Sequence, residues 1–388
     1  MFNSKYSFIT MPLKIIGYFL GLIWPRDDKF WAFGAHSGEM FMGNSKYLYL
    51  EISNSDKYDI SPVWFCRDRE LYNQLDENGY NAVMTGSLEG ILAAFRAGKV
   101  FYTNTPNDVQ GYLTSGSTKI NLWHGMPLKR VGLGHIDFKN SSIQKIIYKT
   151  VLWRYLENYD YQIITSEYFG NAMEATSFNP NSKVLSLGYP RNDALGRSFK
   201  GESLMDDQGY KELVEKEERT VFTYLPTWDN REMNPIDYEK LNDYLKDNNS
   251  ILLVKPHYFE EDFKPEDMEC IKFLPPSLDV YPILRYSDVL ITDYSSVFYD
   301  FLLLDRPIIF YSYDYEKYKQ ERGFERDYQF FTPGPKDNNC EELMRRMIKT
   351  IEMDEYENSR RTITEKVFSN TDFTSTSKII ERMIKDTS

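Results

Sequence analysis

The sequence predicts an α/β protein built as two doubly wound, Rossmann-type domains that face a central cleft. Three observations lead there. A chain of 388 residues exceeds the size at which one hydrophobic core keeps growing, so two domains are expected. Short, wholly apolar runs alternate with helix-periodic segments in both halves, the pattern of parallel strands buried on two faces. Around residues 190–210 that alternation gives way to a polar stretch.

Taken in order, the first element is an apolar run of 11 uncharged residues, Ile15 to Pro25, between Lys14 and Arg26. Spanning a bilayer takes roughly 20. No small-x-small cleavage site follows it, only Trp24-Pro25-Arg26, so it does not read as a signal peptide. Its basic flanks and its aromatic residues suit an interfacial anchor over residues 1–28; a helix buried on the first domain is the competing reading. Strands are then expected at Phe30–Gly34, Ser61–Cys66, Asn81–Met84, Lys99–Tyr102, Lys119–Trp123 and Tyr161–Thr165, with helices at Asn44–Ile52, Asp68–Asn78 and Ser87–Arg96. Pro190-Arg191-Asn192-Asp193 opens the connection, which runs through Gly201 and Asp206-Asp207-Gln208-Gly209 and divides residues 29–200 from 201–388. Alternation resumes with strands at Thr220–Tyr224, Ser250–Lys255, Asp288–Thr292 and Pro307–Tyr311, and helices at Tyr238–Asp247, Val280–Tyr286 and Ser296–Leu304. From Asn339 onward the pattern is helical, with one break near Asn370.

Composition excludes several classes. Cys66, Cys270 and Cys340 are far apart and form no C-x-x-C pair, so neither a zinc site nor a disulfide framework is expected. A net charge of −12 argues against nucleic acid as a partner. The charge is uneven: residues 1–160 hold 17 Lys and Arg against 15 Asp and Glu, and the stretch Lys119–Arg154 holds seven basic residues against Asp137 alone. Such a patch meets phosphates or anionic lipid, or is simply a solvated helix face. No G-x-G-x-x-G and no G-x-x-x-x-G-K-[ST] occurs, which weighs against hydride transfer and ATP hydrolysis through those loops.

Three motifs bear chemistry. The first runs Leu122-Trp123-His124-Gly125-Met126-Pro127-Leu128-Lys129-Arg130. It places His124 at the carboxyl end of an apolar strand, where an imidazole can take a proton from an attacking hydroxyl. Gly125 permits a sharp turn, and Lys129 and Arg130 are near enough to hold an acceptor's phosphate. The second is Val254-Lys255-Pro256-His257, again at a strand end, where His257 and Lys255 can face a donor phosphate or a departing nucleotide. The third runs from Asp288 through Thr292-Asp293-Tyr294-Ser295-Ser296 to Asp300. Ser295 and Ser296 stand where the following helix begins, as caps, as phosphate ligands, or as both. Asp293 reads as a second base or as an acceptor for backbone amides.

In this order, W-H-G-x-P-L-K, K-P-H and S-D-V-L-I-T-D-Y-S-S-x-x-x-D-F resemble the CDP-glycerol glycerophosphotransferase family of teichoic acid synthesis. Asn44-Ser45-Lys46-Tyr47, Gly188-Tyr189-Pro190-Arg191-Asn192-Asp193 and Arg306-Pro307-Ile308-Ile309-Phe310-Tyr311 add to the likeness. It covers residues 30–311 and extends into the helical end. The resemblance implies a GT-B-like fold, peripheral association with the cytoplasmic face of the membrane, two catalytic histidines falling on His124 and His257, and a phosphate-binding pair falling on Ser295 and Ser296. It implies CDP-glycerol, or CDP-ribitol, as donor and a lipid-linked acceptor as partner. Neither a cofactor nor a metal is expected. Tyr258-Phe259 after His257 departs from the polar continuation of many relatives. A ribitol-phosphate or capsule-polymer transferase, and a nucleotide-sugar glycosyltransferase, remain the alternatives on this architecture.

Overall fold

The computed structural model describes residues 7–126, 128, 159–170, 182–227, 236–255, 266–324 and 326–386. The described strands form two sheets. The first contains β1 (Asp27–Phe33), β2 (Ser61–Cys66), β3 (Ala82–Met84), β4 (Ala97–Tyr102), β5 (Thr118–Asn121), β6 (Tyr161–Ile164) and β7 (Lys183–Ser186), in the order β3-β2-β1-β4-β5-β6-β7. The second contains β8 (Thr220–Leu225), β9 (Ser250–Val254), β10 (Ile271–Phe273), β11 (Val289–Thr292), β12 (Ile308–Tyr311) and β13 (Lys336–Asp337), in the order β10-β9-β8-β11-β12-β13. Every recorded pairing is parallel. The inner strands carry buried, mostly apolar runs, as in Ser250-Ile-Leu-Leu-Val254, which is buried along its whole length, the pattern of parallel strands enclosed on both faces.

Strand order reverses between β1 and β4 in the first sheet and between β8 and β11 in the second. Open parallel sheets bind ligands beyond the carboxyl ends of their strands at such switch points. One buried carboxylate laces each of them. Asp108 accepts from the amides of Ser37 (2.8 Å), Asn104 (3.0 Å) and Thr103 (3.2 Å), joining the loops after β1 and β4. Asp293 accepts from the amide of Thr227 at 2.9 Å, joining those after β8 and β11.

Three expectations need correction. The polar stretch opened by Pro190 does not begin as a connection: Pro190–Gly196 is a helix whose first six residues are buried. Its polar side chains have partners instead of solvent. Asp193, for instance, accepts from the amides of Ser375 (3.0 Å) and Thr376 (2.8 Å) at the start of the last helix, Ser375–Lys385. Lys119, counted above in a surface patch, is buried within β5 and donates to the Ser115 carbonyl at 3.1 Å. The carboxyl-terminal region breaks twice, into Cys340–Glu352, Glu357–Val367 and Ser375–Lys385.

The amino-terminal run forms a helix, Ser7–Ile23, that divides between the two readings given for it. Gly17 and Gly21 let it lie against the 112–116 loop: a Cβ on Gly17 would stand 2.8 Å from a Leu113 methyl. The Ser115 hydroxyl donates to the Tyr18 carbonyl (2.6 Å), and Trp24 stacks on Phe95. Away from this contact Leu13, Ile16, Phe19 and Ile23 are exposed, Ile23 by 79%. Among the described residues no helix is long and apolar enough to cross a membrane.

Candidate active site

The first wall of the cleft is the turn after β5. Trp123 has a φ of 58° and Gly125 a φ of 152°, so the chain folds back sharply and holds His124 at the bend. Such a conformation costs about 1–3 kcal/mol in a residue bearing a side chain and needs support. Asn44, fully buried in the helix Gly43–Ser53, gives it: its amide donates to the carbonyls of Leu122 (3.0 Å) and Trp123 (2.8 Å). The side-chain oxygen of the same Asn44 accepts from the Arg191 amide at 3.1 Å. Arg191 in turn donates through Nη1 to the carbonyl of His124 at 2.7 Å.

The His124 ring stacks on Trp123 with centroids 4.5 Å apart, and its Nδ1 lies 3.4 Å from the Thr103 carbonyl. A carbonyl only accepts, so a proton on Nδ1 faces Thr103 and leaves Nε2 with its lone pair. The residue is solvent-exposed, yet desolvation of the ring pushes its pKa down to about 4; the positive Arg191 and the neighbouring His36 add to the depression. The imidazole is therefore neutral at neutral pH, the state a proton acceptor needs. His36, after β1, is likewise pushed down by desolvation and feels both Asp108 and Lys255.

The second wall carries Lys255 at the end of β9, beside the β8–β11 switch point. Its ammonium donates to the Pro276 carbonyl (3.0 Å). Burial pushes it down to about 8 against the opposing pull of Asp279, so it remains a cation at neutral pH. Asp293 is an amide acceptor, bonded to Thr227 and to the amide of Tyr294. Ser295 stands 3.5 Å from the Val297 amide, and Ser296 makes no capping bond to the helix Val297–Phe301. The Ser296 hydroxyl is thus not committed as a cap.

The two walls meet. A Cβ on Gly125 would lie 2.8 Å from the Ser296 hydroxyl and 3.3 Å from Nη2 of Arg191. That Nη2 donates to the fully buried Asp300 at 2.5 Å, and Tyr281 donates to the same oxygen at 2.6 Å. A second buried bridge joins Lys46 and Tyr47 to Asp279, each at 2.8 Å. The structure therefore brings His124 together with Ser296, and sets Lys255 and Asp293 on the facing wall. His257, Lys129 and Arg130 lie outside the described residues. Sequence reasoning assigned no role to Asn44, Arg191 or Asp300, although all three sit inside the motifs that carried the resemblance; their mutual bonding is invisible without the fold. Among the described residues no group of three or more His, Cys, Asp or Glu gathers as a metal site.

The model of the CDP-glycerol:poly(glycerophosphate) glycerophosphotransferase family matches residues 16–385. A teichoic acid poly(glycerol phosphate) polymerase of Bacillus spizizenii is 28% identical over 370 residues, 91% of either chain. A teichoic acid glycerol-phosphate transferase of Staphylococcus aureus is 30% identical over 315 residues, 78% of this chain and 79% of that one. A solved structure of the wall teichoic acid polymerase TagF superposes with a TM-score of 0.77 at 23% identity, over 97% of this chain and 95% of the other. That likeness, with the two parallel sheets, makes the fold GT-B-like.

Proposed function

Since the chain belongs to the CDP-glycerol:poly(glycerophosphate) glycerophosphotransferase family and is an enzyme of that class, we propose that it transfers glycerol phosphate from CDP-glycerol to an acceptor hydroxyl and releases CMP. The acceptor is membrane-linked, an undecaprenyl-diphosphate disaccharide or a growing teichoic acid polymer. In this reading residues 29–200 form the acceptor side and residues 201–388 the donor side.

The acceptor oxygen attacks the β-phosphorus, the bond from that phosphorus to the CMP oxygen breaks, and CMP leaves with the electron pair. His124 Nε2 takes the hydroxyl proton. Catalysis of this kind is mostly positioning and charge stabilisation. Lys255, Ser295 and Ser296 hold the pyrophosphate, joined by His257; Lys129 and Arg130 hold the acceptor's own phosphate; Asp293 shapes the turn through its amide bonds. One observation supports the assignment most: the Gly125 turn beside His124 and the Ser296 hydroxyl approach within contact distance from opposite walls. The test is transfer of labelled glycerol from CDP-glycerol to a short-chain lipid disaccharide. A donor bound without transfer to any lipid-linked hydroxyl would refute it.

The lipid of the acceptor gives a reason for the exposed side of the helix Ser7–Ile23. Leu13, Ile16, Phe19 and Ile23 enter the headgroup region of the cytoplasmic leaflet, which keeps the cleft near its substrate.

A further inference from the structure

Burying an ion pair is not in itself a route to stability, because desolving two charges offsets much of their attraction. The Arg191–Asp300 pair is buried on both sides, with Arg191 7% and Asp300 0% exposed, and its placement calls for another reason. Arg191 comes from the helix Pro190–Gly196 beside the first sheet. Asp300 comes from the helix Val297–Phe301 beside the second. One guanidinium nitrogen is bonded to the carbonyl of His124 at 2.7 Å and the other to Asp300 at 2.5 Å. Asp300 stands one helical turn after Ser296, so whatever fixes Asp300 fixes the serine turn as well.

We propose that Arg191 is a positioning residue of the transfer reaction: its guanidinium ties the backbone of His124 to the helix that follows Ser295 and Ser296, holding base and donor turn at one distance. The proposal rests on the reading of His124 as the base and of the serines as donor ligands. A planar fork is what the task requires. Two bonds diverge from one rigid group toward two elements of different domains, and a lysine, with its charge at one point, makes only one of them well. Tyr281 holds Asp300 (2.6 Å), and Asn44 holds the Arg191 amide (3.1 Å), so the fork is braced at both ends. The positioning role uses one N–H group of each terminal nitrogen, and both of those bonds end within the protein.

The experiment compares the full-length protein with its Arg191→Lys, Asp300→Asn and His124→Ala variants. It measures turnover by CMP release with a soluble acceptor analogue and CDP-glycerol affinity by calorimetry. A misplacement near 1 Å lowers rate by about 10²-fold. Arg191→Lys is expected to lose between tenfold and a hundredfold in kcat while its CDP-glycerol Kd stays within about threefold, and Asp300→Asn to show the same split. Placed on His124→Ala, Arg191→Lys should cost no further rate. A weakened Kd with unchanged kcat would make Arg191 a donor ligand and overturn the proposal, as would unchanged values of both. Should Arg191→Lys fail to fold, Asp300→Asn decides; failure of both to fold would make the pair a structural element and nothing more. Turnover of His124→Ala at the parent rate would sink the base reading, and the tie with it. An inactive His124→Ala beside a fully active Arg191→Lys would sink the tie alone.

Discussion

Replacing Gly125 by alanine puts a methyl group into a place where the two walls meet. Its Cβ would arrive 2.8 Å from the Ser296 hydroxyl and 3.3 Å from Nη2 of Arg191, where ordinary contact begins at 3.4 Å. Ser296 can rotate its hydroxyl away; the Arg191 fork, bonded at both nitrogens, cannot. The turn therefore moves, and His124 moves with it. The backbone adds its own penalty, since a φ of 152° is glycine's territory and an alanine there costs about 1–3 kcal/mol. We expect Gly125→Ala to lower the melting temperature by a few degrees and kcat by about 10²-fold, the price of a displacement near 1 Å. Gly79→Ala serves as the control. Gly79 also has a positive φ, 77°, but a Cβ there meets nothing within 4 Å, so that variant should lose stability and keep its turnover. CMP release and thermal unfolding measured on both proteins separate strain from misplacement. If Gly125→Ala turns over at the parent rate while melting like Gly79→Ala, the two walls do not meet in the working enzyme.

Four further outcomes are expected. His124→Ala should lower kcat by about 10²–10⁴-fold, the usual contribution of a general base, with CDP-glycerol affinity retained; a parallel loss of affinity in calorimetry would make the residue a ligand. Replacing both Ser295 and Ser296 by alanine should raise the donor KM with little change in melting temperature, because Ser296 makes no cap bond and Ser295 reaches the Val297 amide only at 3.5 Å; a thermal loss of about 1 kcal/mol would instead mark them as caps. Lys119 is held down to about 8 by burial, from 10.5. Its folded form binds the proton less tightly than the unfolded chain, so its penalty is full below pH 8 and fades as pH rises toward 10.5. Lys119→Met should then stabilise by about 3 kcal/mol at pH 7 and by little at pH 10, and equal gains at both in denaturant titrations would contradict this. Ile16→Glu with Ile23→Glu should weaken binding to anionic vesicles while turnover on a soluble acceptor is kept, whereas a loss of fold would show that this side of the helix is packed.

Most of the architecture was legible because the inner strands carry buried apolar runs; β2, for example, begins and ends where its sequence pattern does. The strands that escaped, β7, β10 and β13, lie at the edges of the two sheets. Edge strands are short and partly polar, as Lys183-Val-Leu-Ser186 and Lys336-Asp337 are. The place of His124 in a turn after a strand was legible from an apolar run followed by glycine. Arg191 was not, because an arginine beside an asparagine and an aspartate reads as surface until Asp300, 109 residues away, is folded against it. The same confusion of charge with exposure placed Lys119 in a surface patch when it lies inside β5. The amino-terminal helix resisted a single reading because its glycine face and its apolar face do different things.

The most direct measurement is CMP release by the full-length protein from CDP-glycerol, CDP-ribitol and a UDP-sugar, each with a short-chain lipid disaccharide acceptor. CMP is expected from CDP-glycerol, matched mole for mole by glycerol phosphate on the acceptor, and that release is expected to be lost in His124→Ala. Release from CDP-ribitol or UDP from the sugar donor, with CDP-glycerol left intact, would contradict this.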